Sequence, residues 1–181
     1  MRIKYWIVPA IVLISITFLM SCSEKKTGSN AIPASASDKK PLSSDFSGPK
    51  LSDYRLAVDG LVDHPLLLAY DSILKYPTVT RSLLLVCPGV FKSQNSWTGV
   101  SLALILKKAG IKPEAARIGF SAPDGYYQEI SLEKAQKDNV FLAYKVDGHA
   151  LARNDGYPLR LVAGDQVGAV WVRVLTHIEV R

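Results

Sequence analysis

The stretch Ala116-Arg117-Ile118-Gly119-Phe120-Ser121-Ala122-Pro123-Asp124-Gly125-Tyr126-Tyr127-Gln128-Glu129-Ile130 decides the fold class. Ala116 to Ser121 reads as one strand and Tyr126 to Ile130 as a second. The connection is a tight turn, because proline pre-sets its own φ and glycine accepts the left-handed region. Ser131-Leu132-Glu133-Lys134 then starts a short helix. Upstream, Tyr54 to Val58 alternates as a strand and Asp59-Gly60 ends it in a turn. His64-Pro65 opens the apolar segment Leu66 to Tyr70, and Asp71 can cap a short helix over Ser72 to Tyr76. Thr78 to Val86 reads as a strand, expected to be buried toward its end by the consecutive Leu83, Leu84 and Leu85. Ser101 to Ala109 has the features of a helix: a serine cap, Leu102, Ile105 and Leu106 on one face, Lys107 and Lys108 near the end, and Gly110 as the stop. Downstream, Val140 to Val146 is a strand closed by Asp147-Gly148, and Leu159 to Val162 and Ala169 to Val180 read as the final strands. Strands outnumber helices and tight turns dominate. The expected fold is therefore β-rich α+β, with mixed sheets and a few short helices. A parallel α/β sheet would need more crossover helices than the sequence provides.

The folded part occupies residues 51–181, enough for one core. Before it, residues 1–22 have the layout of an export leader. Arg2 and Lys4 precede an uncharged run from Tyr5 to Met20, and Leu19-Met20-Ser21-Cys22 looks like a lipobox, with Cys22 as the lipidated residue. An uncleaved N-terminal anchor is the alternative and gives the same membrane tether. Residues 23–50 are rich in Ser, Lys, Ala and Pro and hold too few large apolar residues to offset ordering entropy, so a flexible tether is expected. Localisation is then exported and membrane-anchored, at the periplasm or cell surface.

The chain carries 22 basic and 16 acidic residues, a formal net charge of +6. From Leu51 onward the counts are 15 and 13, so most of the excess lies in the leader and tether. No basic block with interleaved aromatics appears, which excludes nucleic acid as an expected partner. His64, His149 and His177 lack metal-ligand spacing. No phosphate-binding glycine-rich loop opens a helix, and no nucleophile-elbow motif occurs.

Cys87 remains, the only cysteine of the folded part. Exported proteins usually pair their cysteines, so a single thiol is either a small buried hydrophobe, a redox-reactive sensor or a metal ligand. One thiolate suits a soft or high-valent transition metal, and suffices only when a cofactor supplies the other ligands.

Cys87-Pro88-Gly89, Trp97-Thr98-Gly99-Val100-Ser101-Leu102 and Ser121-Ala122-Pro123-Asp124-Gly125-Tyr126 occur in series, followed by Phe141-Leu142-Ala143-Tyr144 and Asp147-Gly148. Gly156-Tyr157-Pro158-Leu159-Arg160-Leu161-Val162, Trp171-Val172-Arg173 and Ile178-Glu179-Val180 complete the set. In order and spacing these segments resemble the sulfite-oxidase-type molybdopterin-binding oxidoreductases across nearly the whole folded part. The resemblance implies that family's fold and a molybdenum–molybdopterin cofactor. It places Cys87 at the position of the metal-ligating cysteine and Asp124 at the acidic position of the pterin-contacting loop. Arg160 falls at an arginine facing the cofactor's phosphate end, and Arg173 near a lysine of the closing segment, where either side chain keeps a cation. Asn154-Asp155 stands where the family often has a histidine, so Asp155 takes that cofactor-side position, where its charge would repel a phosphate. The larger enzymes add an N-terminal segment with Arg, Asn and His to the pocket, and residues 23–50 carry no such motif.

The implied function is oxygen-atom transfer on a small substrate, with an exported electron-transfer protein as partner. The alternative is a binding or scaffold module that keeps the fold without a complete cofactor site.

Overall fold

The structure is a computed structural model, and it describes residues 51–181. The leader, the lipobox Cys22 and the tether lie outside the described residues.

Two five-stranded sheets are built from ten strands. The first contains β1 (Arg55–Gly60), β2 (Leu66–Ala69), β5 (Arg117–Ser121), β6 (Tyr127–Ser131) and β10 (His177–Val180), in the order β2-β1-β10-β5-β6. Only β1 and β10 run parallel, with Ala57 opposite His177 and Gly60 opposite Val180. The second contains β3 (Thr78–Cys87), β4 (Phe91–Ser101), β7 (Val140–Val146) and β8 (His149–Ala150), and β9 (Arg160–Ala163) also pairs with β7. Three short helices connect them: α1 (Tyr70–Ile73), α2 (Leu102–Ala109) and α3 (Leu132–Ala135). This is the β-rich α+β architecture that the turn pattern implies.

Local chemistry explains the elements nearest the site. Ser101 Oγ accepts the Leu104 amide at 3.4 Å, and Gly110 closes α2 at φ 72°. Leu102, Ile105, Leu106 and Ala109 form its buried face. Ser131 caps α3 in the same way through the Lys134 amide. Asp124 Oδ1 accepts the Tyr126 amide at 2.9 Å, so the β5–β6 turn is stabilised by its own aspartate.

Four expectations need correction. Asp71 does not cap α1. That helix begins at Tyr70 directly from β2, and its cap residue Ala69 has no side-chain hydrogen bond. The strand from Thr78 is only partly buried by its leucines: Leu85 reaches the core and Leu83 packs against it, but β3 is the edge of its sheet and Leu84 faces out at 43% exposure. The long strand β4 was not anticipated. Its first half, Phe91 to Ser96, is polar apart from Phe91 and takes its regularity from six of the ten consecutive pairings between β4 and β3. Finally, Ala169 to Val180 is not one strand. It begins in a 3-10 turn, Gly168–Val170, and Val174 sits at φ 54°, so regular pairing starts only at His177.

Val58, Leu56, Phe120, Ile118 and Ile178 fill the core of the first sheet, and Phe141, Leu142, Leu161 and Val162 that of the second. Trp97 and Trp171 are both buried, with ring centroids 5.6 Å apart at 73°. Tyr54 crosses the core to donate to the Leu175 carbonyl, and burial raises its phenol pKa well above the usual value. Among the described residues no helix is long and apolar enough to cross a membrane.

Candidate functional site: a half-buried thiol beside two arginines

Cys87 ends β3, where Pro88-Gly89 turns the chain back into β4 and the Val90 amide bonds to the Cys87 carbonyl at 3.0 Å. Gly89 takes φ 73° in that turn and has nothing within 4 Å of where a Cβ would stand. The thiol is half-buried and unpaired. On one side lies the Gly168–Val170 turn. A Cβ added to Gly168 would stand 2.6 Å from Cys87 Sγ and 3.0 Å from Leu85 Cδ1, so only glycine lets the turn lie this close to the sulfur. The sulfur is therefore neither sealed by aliphatic side chains nor fully open to solvent.

Arg160 starts β9 and turns inward. It is 4% exposed, with Nη1 donating to the Asp155 carbonyl at 2.9 Å and Nη2 to the Trp171 carbonyl at 3.3 Å. Its guanidinium carbon lies 4.8 Å from the centre of the Trp97 ring and 5.7 Å from that of Trp171. Nε is buried without a partner. Burial is the main cause that lowers the Arg160 pKa to about 10; Asp155 and Cys87 act against the shift and neighbouring Arg173 adds to it. The side chain still carries its proton at neutral pH.

Those electrostatic neighbours define the cluster, since Cys87, Asp155 and Arg173 all act on the Arg160 guanidinium. Gly156, at φ 100°, explains how two arginines converge. A Cβ there would meet Arg173 Cα and Cβ at 3.0 Å and Arg160 Cβ at 3.1 Å. Arg173 itself is exposed, and its Nη1 donates to the Asn154 carbonyl at 3.0 Å. Asp155 lies close enough to Arg160 to stabilise its charge.

Of the residues that the sequence points to, Asp155, Arg160 and Arg173 come together around Gly156, and Cys87 lies within electrostatic reach of the Arg160 guanidinium. Asp124 is on the β5–β6 turn, where its carboxylate accepts from the Tyr126 amide. Sequence reasoning placed Trp97 and Trp171 in the core and missed that both rings pack against the Arg160 guanidinium. It also missed Gly156 and Gly168. Their signal is weak, because a glycine that permits close approach looks in the sequence like any loop glycine.

Replacing Arg160 with alanine removes the cation packed against two indoles and leaves the buried Trp171 carbonyl and the part-buried Asp155 carbonyl without their donor. The expected loss is about 3 kcal/mol of folding stability, read from urea unfolding. A loss below about 1 kcal/mol would show that the guanidinium is not anchored as described.

The residues from 44 to 181 match the model of the oxidoreductase molybdopterin-binding domain. The chain is 32% identical over 111 residues to the uncharacterized oxidoreductase YuiH of Bacillus subtilis, covering 61% of this chain and 56% of that protein. It is 30% identical over 160 residues to a nitrate reductase [NADH] of Ulva prolifera, covering 70% of this chain and 18% of that protein. Among solved structures, the sulfane dehydrogenase SoxCD of Paracoccus pantotrophus superposes with a TM-score of 0.68 at 27% identity, over 72% of this chain and 39% of that one. The chain thus spans about half the length of YuiH and less than a fifth of the nitrate reductase. The SoxCD likeness agrees with the sulfite-oxidase-type fold that the motif series implies.

The donor set suits the cofactor of such a domain. A reachable soft thiol is available to a metal, and Arg173 offers an exposed cation to an anionic group. Among the described residues no cluster of three or more His, Cys, Asp or Glu side chains forms a separate metal site. With its fold, its motif series and the match over residues 44–181 in agreement, the chain belongs to the oxidoreductase molybdopterin-binding domain family.

Proposed function

We propose that this protein is an exported, lipid-anchored molybdopterin-dependent oxidoreductase that transfers an oxygen atom to or from a small substrate, with Cys87 as the protein's ligand to molybdenum. The observation that carries this reading is the half-buried Cys87 thiol within electrostatic reach of the Arg160 guanidinium, which in turn converges with Arg173 at Gly156, in a chain of this family. The bound cofactor would supply the two-electron oxygen-atom chemistry. Cys87 Sγ would hold the metal from the end of β3, with Gly168 packed against the sulfur on one side. Arg173 would meet an anionic part of the cofactor with the donors its Asn154 bond leaves available. Arg160 would act from beneath, fixing the loop at Asp155 and the carbonyl of Trp171, and its buried charge would favour anions nearby. Electrons would pass singly to or from an exported electron-transfer protein. The anchor is Cys22, supported by the lipobox Leu19-Met20-Ser21-Cys22.

The test is expression of the full chain in a cofactor-producing host, with fractionation and metal analysis. The reading expects the protein in the membrane fraction with close to equimolar molybdenum and pterin. Metal-free protein from a competent host would favour a scaffold that keeps the fold alone, and recovery in the soluble fraction would overturn the anchor.

A further inference from the structure

The Gly168–Val170 turn beside the Cys87 sulfur is tied to the other sheet. Tyr126, at the tip of the β5–β6 hairpin, donates its hydroxyl to the Ala169 carbonyl at 2.6 Å, and Gln128 Nε2 lies 3.4 Å from the same hydroxyl. Ala169 is the middle residue of the turn, next to the glycine that contacts Cys87 Sγ and Leu85. The base of the same segment is fixed separately, by the Trp171 indole N–H donating to the Ala163 carbonyl at 2.7 Å and contacting the Gln166 carbonyl at 3.2 Å. Asp124, which sequence reasoning assigned to the cofactor, supports this arrangement through its bond to the Tyr126 amide.

We propose that Tyr126 is a positioning residue: by holding the Gly168–Val170 turn against Cys87 from the first sheet, it sets how far the sulfur is open to an incoming ligand. Its importance for catalysis rests on the reading of Cys87 as the metal ligand, but its effect on the thiol does not. A hydroxyl-to-carbonyl bond contributes modestly to stability, and its loss should raise the population of turn-released molecules about three- to tenfold. The turn's other bonds keep the fold in place, so this opening is local.

The experiment measures iodoacetamide labelling of Cys87 under native conditions, in the full chain made by a host that lacks the cofactor. Mass spectrometry of the tryptic peptide Ser82–Lys92 isolates Cys87 from Cys22. Tyr126→Phe should label about three- to tenfold faster than the unaltered chain, with circular dichroism showing that it stays folded and a urea midpoint lowered only by the same modest bond contribution. Tyr127→Phe is the control, because the Tyr127 hydroxyl bonds Glu129 and does not reach the turn. It should label at the unaltered rate. A Tyr126→Phe rate within about twofold of the unaltered chain, or an equal rise in both variants, would overturn the proposal. Because labelling reads the thiol without metal, a failure here stands apart from a failure to find molybdenum.

Discussion

Gly99→Ala should lower the urea midpoint of unfolding far more than Gly89→Ala does. Gly99 lies on β4 where the pairing with β7 shifts register between Thr98 and Gly99. A Cβ there would run into the Leu142 carbonyl oxygen and come within 2.6 Å of Ala143 Cα. These are backbone atoms of the central strand β7, which also carries β8 and β9, so no side-chain rotation can relieve the overlap. Separating β4 from β7 would also move Trp97 away from Arg160 and Trp171. The expected cost is about 3–4 kcal/mol, a large share of the stability of a domain this size. Gly89→Ala is the comparison. It meets nothing within 4 Å, although its φ of 73° strains any side chain, so its cost should be about 1 kcal/mol. Urea unfolding of the two variants side by side checks this. Similar midpoints would mean that the close approach of β4 to β7 is wrong.

The fold class was legible where local chemistry acts within a few residues. Ser101 and Gly110 bracket α2, Ser131 caps α3, and Pro123-Asp124-Gly125 turns β5 into β6 through a bond within the turn itself. What failed depends on neighbours distant in sequence. Leu84 looks like a core residue until β3 proves to be an edge, and the polar first half of β4 becomes a strand only by pairing with β3. The break in Ala169 to Val180 follows from the Trp171 indole reaching back to Ala163 and Gln166, which a reading by alternation does not foresee. At the site, the chemistry-bearing types stood out, because a lone cysteine and an arginine between leucines are unusual in that setting. The orientation of Arg160 did not. Reading it as a cation for a phosphate did not foresee that two backbone carbonyls and two indoles also hold it.

Cys87→Ser separates the metal-ligand reading from every structural role of this residue. A serine hydroxyl is close in size, and the side chain is only half-buried, so stability should change by less than about 1 kcal/mol. As a ligand the change is severe. An alcohol is a hard, weakly acidic donor, whereas a thiolate is soft and ionises far more readily, a difference that matters for a soft or high-valent metal. Losing the protein's bond to the metal should cut retained molybdenum at least about tenfold, in line with the cost of altering groups around a metal site. The deciding measurement is the molybdenum-to-protein ratio of the unaltered chain and of Cys87→Ser, purified in parallel from one cofactor-producing host, with circular dichroism to show that both are folded. A ratio near one that falls to a tenth or less in the variant is the predicted result. Equal molybdenum in two folded proteins would contradict the assignment of Cys87 as the ligand.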